Sequence, residues 1–525
     1  MDRVRLVFFP STAYPKMRSL LGFATALAVC LHYVSAFQTP LMLRPHDISP
    51  SLSRMQAELG SQFCKGSSVY LSNYLGSRDH TERWSTAAEG DVMLVVAPTC
   101  EKDVATVVRL ANQIGLPFLA INRGHGSVSA LGTIRNGVLI KLNNLVSVDI
   151  APDGKSAMLG GGVYTDLLLG RLAKENKVAA TGGCGCVGIA GPGLGGGFGF
   201  YQGYFGLMAD GFIEMDVVTA DGSEITVSES SNPDLFWAMR GAGQNFGIVT
   251  KFRYKIFDYP NGQNIFHATY HFTEDQLEVL FEHLNSLIDN GSLPKKVNAY
   301  VVLRSKPHIS TRPVFVYHFY YFGSAEQASP YVQRILDLGP IFISNASFPY
   351  KEVSHRSFQA SVGDPTCAAG ISTKTRFPIG LKTYNISTNR EIYNLFEDMV
   401  ATTPALATSF VQFEAFPMQA VKAVDPASTA YAHREDDILV AFSTQYLLSA
   451  ANVAAANKYG RKARQLFIEG ARPMLYNAYS NYANGDETLE QIYGHESWRL
   501  EKLRRLKREW DPNGSFRFFN PITDY

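Results

Sequence analysis

The sequence predicts an α+β protein built in two parts, and three observations carry this prediction. Short apolar runs alternate with helix-like segments up to about residue 180. A glycine-rich stretch at 182–199 and a β-rich piece follow. Beyond about residue 263, long strand-like runs carry aromatic side chains on both faces, with helical segments between them. Such strands are typical of an antiparallel sheet with helices on one face and another layer, or a ligand, on the other.

The first part opens with the strand VMLVVA. A helix follows, for which Thr99 is the expected N-cap and Gly115 the stop. The runs LPFLAIN and GVLIKL predict the next strands, and a hairpin is expected around Asp153–Gly154. After the helix YTDLLLGRLAKEN, a second hairpin is expected to turn at Asp221–Gly222.

In the second part, the predicted strands are NIFHATYHF, VNAYVVLR, PVFVYHFYYF, SFVQFEAF and ILVAFSTQYL. A late helix is expected over about 487–509, with Leu503, Leu506 and Trp510 on its apolar side. Its basic residues, which acidic residues dilute, are interpreted as a solvated face. With a formal net charge of only +1, the chain offers no basic surface for nucleic acid, and no such partner is expected.

The N-terminal 36 residues have the order of a secretory signal peptide. Lys16 and Arg18 precede an apolar run at 20–31, and small residues follow at 34–36. Met17 is an alternative start. The run is shorter than the roughly 20 apolar residues that span a bilayer, so secretion or the secretory pathway is predicted, with an uncleaved membrane anchor as the alternative.

Export to an oxidising compartment changes how the cysteines are interpreted. Cys64 and Cys100 are candidates for a disulfide. Cys184 and Cys186 form a C-x-C, and Cys367 stands alone. No second Cys/His pair has zinc-like spacing, so no metal is expected. The N-x-[ST] sequons, which agree with secretion, are at Asn290, Asn345, Asn385 and Asn513.

Two glycine-containing stretches are candidates for contact with a ligand. The pattern at 191–196 matches G-x-G-x-x-G, but it lacks the preceding strand and the opening helix that a dinucleotide fingerprint needs. In NRGHGS, residues 122–127, glycines flank His125 directly after a predicted strand. Free backbone N–H groups in such a loop predict an anion nest suited to a pyrophosphate, to which Ser127 would add a hydroxyl donor.

Several motifs, in this order, resemble the FAD-linked oxidases of the berberine-bridge-enzyme-like group. NRGHGS is followed by GCGCVGIAGPGLGGGFG and then by DGSEITVSESSNPDLFWAMRGAGQNFGIVTKF. TAYAHRE is similar to the group's T-A-F-P-H-R segment, and YSNYANGDE and WDPNGSFRF resemble its closing motifs. The resemblance runs from about residue 65 to the C-terminus. It implies the vanillyl-alcohol-oxidase or PCMH type of FAD-binding fold.

The resemblance implies a two-subdomain FAD-binding domain at 60–262, completed by 480–525, and a substrate domain at 263–479. It also implies that His125 carries the flavin through its 8α carbon and that Cys184 adds a bond to flavin C6. Cys186 is the alternative thiol, and a histidine-only link is also open. The other residues expected against FAD are Asn122, Arg123, Gly124, Gly126, Ser127, Gly188, Gly195, Gly196, Ile248 and Asn481.

For catalysis, the resemblance points to Tyr482, which would take a substrate hydroxyl proton as hydride leaves for flavin N5. A phenolate at neutral pH requires a lowered pKa, from a nearby cation or from the flavin. Phe442 and Phe198 stand where some relatives carry an acidic or amide residue and a tyrosine. Gln412, with Glu414, is the substitute candidate on SFVQFEAF, one face of which can reach the flavin.

The expected activity is oxidation of a small aromatic or polycyclic secondary metabolite, with O2 as the acceptor and peroxide as the product. The aromatic strands favour a ring-bearing substrate over a free sugar. A carbohydrate oxidase of the same family is the alternative. A flavin-binding protein without turnover is a third possibility, because two familiar catalytic positions are phenylalanine.

Overall fold

The computed structural model describes residues 63–72, 78–288 and 291–523, and it has the α+β architecture that the sequence predicts. The predicted signal peptide and the glycosylation sequon at Asn290 lie outside these ranges. Within the ranges, no helix is both long enough and apolar enough to cross a membrane.

Two small sheets come from the first half of the chain. A four-stranded sheet has the order β1-β2-β4-β3 and is parallel where β4 pairs with β2 and β3. A five-stranded antiparallel sheet has the order β5-β6-β10-β8-β9, and β7 pairs with β11 in a short ribbon. The strands are β1 Ser68–Leu71, β2 Val92–Ala97, β3 Phe118–Ile121, β4 Gly137–Lys141, β5 Val148–Ile150, β6 Ser156–Gly160, β7 Lys177–Val178, β8 Phe212–Val218, β9 Glu224–Ser228, β10 Ile248–Lys255 and β11 Phe257–Asp258.

The second half forms one seven-stranded antiparallel sheet in the order β15-β12-β14-β13-β17-β18-β16. Its strands are β12 Asn264–Phe272, β13 Val297–Arg304, β14 Val314–Tyr321, β15 Phe342–Pro349, β16 Thr373–Leu381, β17 Phe410–Ala415 and β18 Ile438–Tyr446.

The longer α-helices pack against these sheets, and the shorter ones lie in the connections. They are α1 Arg78–Thr81, α2 Glu101–Gln113, α3 Thr165–Lys174, α4 Ala190–Leu194, α5 Gln202–Phe205, α6 Pro233–Ala242, α7 Leu277–Leu287, α8 Ala325–Leu336, α9 Val353–Phe358, α10 Ile386–Thr402, α11 Gln419–Lys422, α12 Ala450–Gly470, α13 Leu489–Tyr493 and α14 Ser497–Trp510.

The seven-stranded sheet has two unlike faces. Alternate residues such as Phe377, Phe413 and Phe442 are buried in one apolar core with residues of α7, α10 and α12. Their neighbours along the strands point to the other face, because side chains alternate with a period of two. On that face Glu414 lies directly opposite Tyr300 of the adjacent strand, and the predicted site residues of β17 are found there.

The predicted strands and both hairpins are confirmed, whereas two strands of the seven-stranded sheet were not predicted. The run TKTRFPIGL of β16 alternates cations with small polar residues and includes Pro378, which a sheet tolerates at an edge. β15 forms the opposite edge, and most of its residues are exposed. Exposed or charged edge strands lack the apolar pattern from which strands are predicted.

Three local predictions are wrong. The N-cap of α2 is Cys100, while the Thr99 hydroxyl is hydrogen-bonded with that of Ser67. The late helix is two helices, α13 and α14, because Gly494 adopts a φ of 110° that a helix does not allow. Its basic face is not wholly solvated, since Arg499 and Lys507 are buried and donate to backbone carbonyls.

Candidate functional site

The NRGHGS loop leaves β3 with several unused hydrogen-bond donors. Gly124 has a φ of 71°, and its carbonyl accepts from the Trp84 N–H at 3.1 Å. Within the described ranges, the backbone N–H groups of residues 124–127 donate to no protein acceptor, and the Ser127 hydroxyl is buried without a partner. Buried donors of this kind require a ligand or water, and successive ones suit a phosphate.

Asn122 and the glycine-rich segment adjoin this loop. The Asn122 amide donates to the carbonyls of Gly161 at 3.1 Å and Val163 at 3.0 Å, while its own oxygen is buried and unpaired. Gly188 lies so close to Asn122 that any side chain would overlap it, and Gly195 lies equally close to Asn481. The predicted cofactor residues of three distant segments therefore meet around one site.

The remaining predicted cofactor residues differ in their surroundings. Gly196 has a φ of 106° and packs against an aromatic ring, and Gly126 packs on an aliphatic side chain. Arg123 is exposed, with its guanidinium 4.9 Å from the centre of the Tyr164 ring. Ile248 is buried at the start of β10, where it pairs with Val218 of β8.

His125 stacks on Trp84, with ring centres 5.7 Å apart. Burial, reinforced by the positive charge of Arg376 and other cations, lowers the pKa of His125 to about 3. The imidazole is therefore neutral throughout the physiological range and keeps a nitrogen lone pair.

The disulfides separate the two cysteines of the C-x-C. Cys186 is bonded to Cys367, so Cys186 is not an available thiol and Cys367 is not isolated. Cys184 is the free cysteine among the described residues. Burial raises the pKa of its thiol to about 11, although Arg376 acts in the opposite direction. The predicted bond between Cys64 and Cys100 is present.

Tyr482, Glu414 and Gln412 form a hydrogen-bonded group. The Tyr482 hydroxyl donates to Glu414 Oε1 at 3.2 Å, and Gln412 Nε2 donates to the same oxygen at 2.9 Å. Burial raises the pKa of Glu414 to about 7, against the opposing influence of Arg376 and Tyr482. Burial and the Glu414 carboxylate raise the pKa of Tyr482 well above its usual value, which is the opposite of the lowering that a phenolate at neutral pH requires.

The register of the sheet places an aromatic and histidine wall beside this group. Thr269, His318, Tyr300 and Glu414 lie opposite one another on successive strands. The Phe358 ring centre of α9 is 5.2 Å from that of Tyr300 and 5.7 Å from that of His318. The site thus has ring systems along one side and a single carboxylate at its end.

The two phenylalanines that depart from the family pattern lie in different places. Phe442 faces the helix-packed core, where its ring contacts Phe396, so it does not occupy a site position. Its neighbours Ala441 and Ser443 take the site face of β18. Phe198 does face the site and packs edge-on against Tyr479, with ring centres 4.9 Å apart.

Two cations enter the site from β16, which the sequence did not predict as a strand. The Arg376 guanidinium lies 4.2 Å from the Tyr482 ring centre and 4.8 Å from that of Trp84. Lys374 Nζ donates to the Trp84 carbonyl at 2.6 Å. The alternation of Lys374 and Arg376 with threonine indicates a strand with both cations on one face, and the sequence analysis did not use it.

A separate groove of about 980 Å³ lies away from this site. It is bounded by Arg109 of α2, Asp221 of the β8–β9 turn and Trp510 at the end of α14. None of the predicted site residues lines it.

Comparison with known sequences places these features in a family. Residues 92–228 match an FAD binding domain, and residues 478–523 match the family described as berberine and berberine like. The chain is 36% identical over 514 residues to the FAD-linked oxidoreductase anuG of Penicillium roqueforti, covering 97% of this chain and 100% of that protein. It is also 36% identical over 475 residues to the FAD-linked oxidoreductase iacH of Pestalotiopsis fici, covering 89% and 90%.

Solved structures agree on the fold. The berberine-bridge-enzyme-like protein 1 of Physcomitrella patens has a TM-score of 0.75 at 22% identity, covering 90% of this chain and 100% of that chain. The xylooligosaccharide oxidase from Myceliophthora thermophila has a TM-score of 0.76 at 21% identity, covering 90% and 99%. Glucooligosaccharide oxidase from Acremonium strictum, which has a 6-S-cysteinyl, 8α-N1-histidyl FAD, has a TM-score of 0.72 at 21% identity, covering 90% and 100%.

The backbone donors of the 124–127 loop and the side-chain oxygens of Asn122 and Ser127 lack hydrogen-bond partners in the protein, and they suit the polar groups of FAD. The chain is 36% identical over nearly its whole length to an FAD-linked oxidoreductase, which indicates the same cofactor. The chain belongs to the berberine-bridge-enzyme-like family of FAD-linked oxidoreductases and is an FAD-dependent enzyme.

Proposed function

We propose that the enzyme oxidises a small ring-bearing substrate by removing a hydride from a carbon that bears a hydroxyl group, with O2 as the electron acceptor. The observation that carries this proposal is the Gln412–Glu414–Tyr482 group at the end of an aromatic wall. FAD supplies the two-electron acceptor for the hydride. The protein must hold the substrate and remove the hydroxyl proton.

Glu414 is proposed as the final proton acceptor, with Tyr482 between it and the substrate. The Tyr482 oxygen accepts the substrate proton while its own proton passes to Glu414 Oε1, 3.2 Å away. A carboxylate with a pKa of about 7 is well matched to proton transfer at neutral pH, whereas a tyrosine with a raised pKa does not ionise there by itself. Gln412 would orient the carboxylate and stabilise its charge.

His125 and Cys184 are proposed as the two attachment points of the flavin. Support comes from the neutral imidazole of His125 and from the Cys186–Cys367 disulfide, which leaves Cys184 as the available thiol. Loss of the proton from Cys184 needs help, because burial raises its pKa, and Arg376 is the nearby cation that opposes this effect.

The attachment is tested by precipitating purified protein with acid and measuring the flavin that stays bound. Each single variant, His125→Ala and Cys184→Ser, is expected to retain flavin through the other link, and the double variant to release it. The double variant Cys186→Ser/Cys367→Ser is the matched control and should retain both bonds, because it removes the disulfide without freeing a thiol that can pair with Cys184. Release of all flavin from Cys184→Ser alone would exclude the histidine link.

The proposed substrate class rests on the side chains that face the site. Tyr300, Phe358 and Trp84 offer ring surfaces, which favour an aromatic or polycyclic metabolite. A carbohydrate substrate is the second candidate, because oligosaccharide oxidases are among the proteins with the same fold. Aromatic side chains also stack on sugars, so only measurement separates the two classes.

The decisive experiment is anaerobic reduction of the holoenzyme. Aromatic and benzylic alcohols are expected to bleach the flavin absorbance, and readmitted air is expected to restore it with one peroxide formed per flavin. Bleaching by oligosaccharides instead of aromatic alcohols would establish the second candidate. Reoxidation that needs an added quinone or dye would contradict O2 as the acceptor.

We also propose the division into an FAD domain at 60–262 with 480–525 and a substrate domain at 263–479. The two small sheets lie within 68–258 and the large sheet within 264–446, which supports this division. Secretion is proposed from the N-terminal sequence and is supported by the two disulfides. Sequencing the N-terminus of protein recovered from culture medium tests it, since cleavage after Ala36 is expected.

A further inference from the structure

Arg376 is a cation inside the candidate site with no carboxylate in contact with it among the residues that the structure describes. Its guanidinium lies over Tyr482 and Trp84, and its Nε is buried without a hydrogen-bond partner. In the described part of the chain, no carboxylate oxygen lies within 4.0 Å of it and no protein group accepts a hydrogen bond from it. Arginine stays charged at all physiological pH values, so the charge of the half-buried Arg376 is left to water or to a ligand.

The two rings hold the guanidinium in place. Contact with two aromatic rings restricts rotation of the long side chain, so its N–H groups keep a preferred direction. A preorganised guanidinium presents a planar fork that matches a carboxylate, and the pairing is strongest where water is excluded. Arg376 is thus built as a receptor for a planar anion.

The other charges of the site do not neutralise Arg376. Lys374 lies on the same face, two residues away, and Arg83 and Arg123 are further cations whose charge reaches His125. The nearest carboxylate of the group, Glu414, accepts hydrogen bonds from Tyr482 and Gln412 instead. Glu89 offsets the charge of Arg83, whereas Lys374 and Arg376 of β16 have no carboxylate in contact among the described residues, so a ligand can balance them.

As proposed, the phosphates of FAD lie at the 124–127 loop, where they would balance Arg123, and the flavin ring would not balance Arg376. Arg376 shares the Trp84 ring with His125, and its charge also reaches Cys184. Both proposed flavin bonds are on the benzenoid ring of the cofactor. The negative charge that accompanies hydride acceptance belongs to the pyrimidine ring, at the opposite end.

We propose that Arg376 binds a carboxylate group of the substrate, so that the enzyme prefers an aromatic hydroxy acid to the corresponding neutral alcohol. This inference rests on the proposed function, since it names the substrate class of the same site. Arg376 would hold the acid group while Tyr482, on which it packs, meets the hydroxyl group to be oxidised. Lys374 would add positive charge beside the same carboxylate.

The test uses the flavin-loaded protein and two matched pairs of probes: benzoate with benzamide, and 3-phenylpropionate with 3-phenylpropionamide. Binding is measured from the change in flavin absorbance and, independently, from quenching of tryptophan fluorescence. We expect each acid to bind wild-type protein at least tenfold more tightly than its amide. Arg376→Gln should weaken acid binding at least tenfold, the range expected when a charged hydrogen-bonded pair is lost, and leave amide binding within twofold.

Arg304→Gln is the matched control, because Arg304 is on the same sheet and its Nε is also buried without a partner. It lies four residues beyond Tyr300, about 13 Å along the strand, and should leave acid binding unchanged. Arg376→Lys should restore part of the preference for acids. Equal binding of acid and amide to wild type, no binding of either acid below 10 mM, or an unchanged acid affinity in Arg376→Gln would each overturn the proposal.

Failure here is separable from failure of the proposed function. Protein that is bleached anaerobically by neutral aromatic alcohols but shows no acid preference retains the oxidase function and loses the carboxylate site. Protein with an Arg376-dependent acid preference that no hydroxy compound bleaches retains the carboxylate site and loses the oxidase proposal.

Discussion

The two faces of the seven-stranded sheet are made by the same strands but differ in almost every physical property. On the helix-packed face, Phe377 and Phe413 are buried in a continuous apolar core. One residue along the same strands, Arg376 and Glu414 are charged or ionisable and face the site. Adjacent residues of one strand therefore serve different ends, one stabilising the fold and the next facing the site. Substitution of the first should lower the free energy of unfolding, and substitution of the second should lower turnover.

The largest expected effect is on turnover, from Glu414→Gln. The amide is nearly isosteric but does not accept the proton, so kcat/KM should fall by about 10²–10⁴-fold with little change in melting temperature. Steady-state kinetics on protein of matched flavin content measures this. Glu435→Gln, which removes an exposed carboxylate near β18, is the control and should retain activity. A loss below tenfold for Glu414→Gln would exclude Glu414 as the acceptor.

One residue away, Phe413→Ala should lower stability and leave turnover nearly unchanged. Removing a ring that is 1% exposed leaves a cavity, and unfolding free energy should fall by about 3–5 kcal/mol. Denaturant unfolding gives this value, and activity measured well below the melting temperature should remain near that of wild type. If Phe413→Ala abolished turnover in folded protein, the separation of the two faces would not hold.

Tyr482→Phe sharpens the description of the site face. It removes the hydroxyl that donates to Glu414, and the loss of one hydrogen bond to a charged group corresponds to a fall of about 10–100-fold in kcat. It should also move the pH midpoint of activity upward, because that hydrogen bond lowers the pKa of Glu414. Full turnover with an unchanged midpoint would contradict the relay.

The smallest expected effect concerns pH. The acceptor is active when ionised, so kcat/KM of wild type should rise with pH through a midpoint of about 7 and fall about tenfold per unit below it. Gln412→Met removes a hydrogen bond that stabilises the carboxylate and should raise the midpoint by up to about one unit. A midpoint below 5.5 in wild type would show that Glu414 is not the titrating group.

Much of the fold was predictable because its strands carry strong local signals. The aromatic runs of β12, β13 and β14 and the two turns with aspartate and glycine were all confirmed. The missed edge strands β15 and β16 have no such signal, since their side chains are exposed or charged. The break at Gly494 depends on one backbone angle that periodicity does not show.

The candidate site was predictable only where a motif marks it. His125 and Cys184 stand in recognisable glycine-rich segments, whereas the pKa of Tyr482 depends on its burial and on Glu414, 68 residues away in sequence. The sequence analysis places Phe442 at a site position because sequence alone does not reveal which face of β18 a residue occupies. Arg376 was missed together with its strand.

The bond between Cys186 and Cys367 has a consequence for how the protein matures. Three thiols are drawn into one small region, and only one of the possible pairings spares Cys184. A molecule with a disulfide between Cys184 and Cys367 would lack the free Cys184 thiol that is proposed to form the second bond to the flavin. Flavin-free preparations from different hosts should therefore be compared by the position of the alkylated cysteine, because correctly paired and mispaired chains have the same mass and one free thiol each and differ in which cysteine the reagent labels.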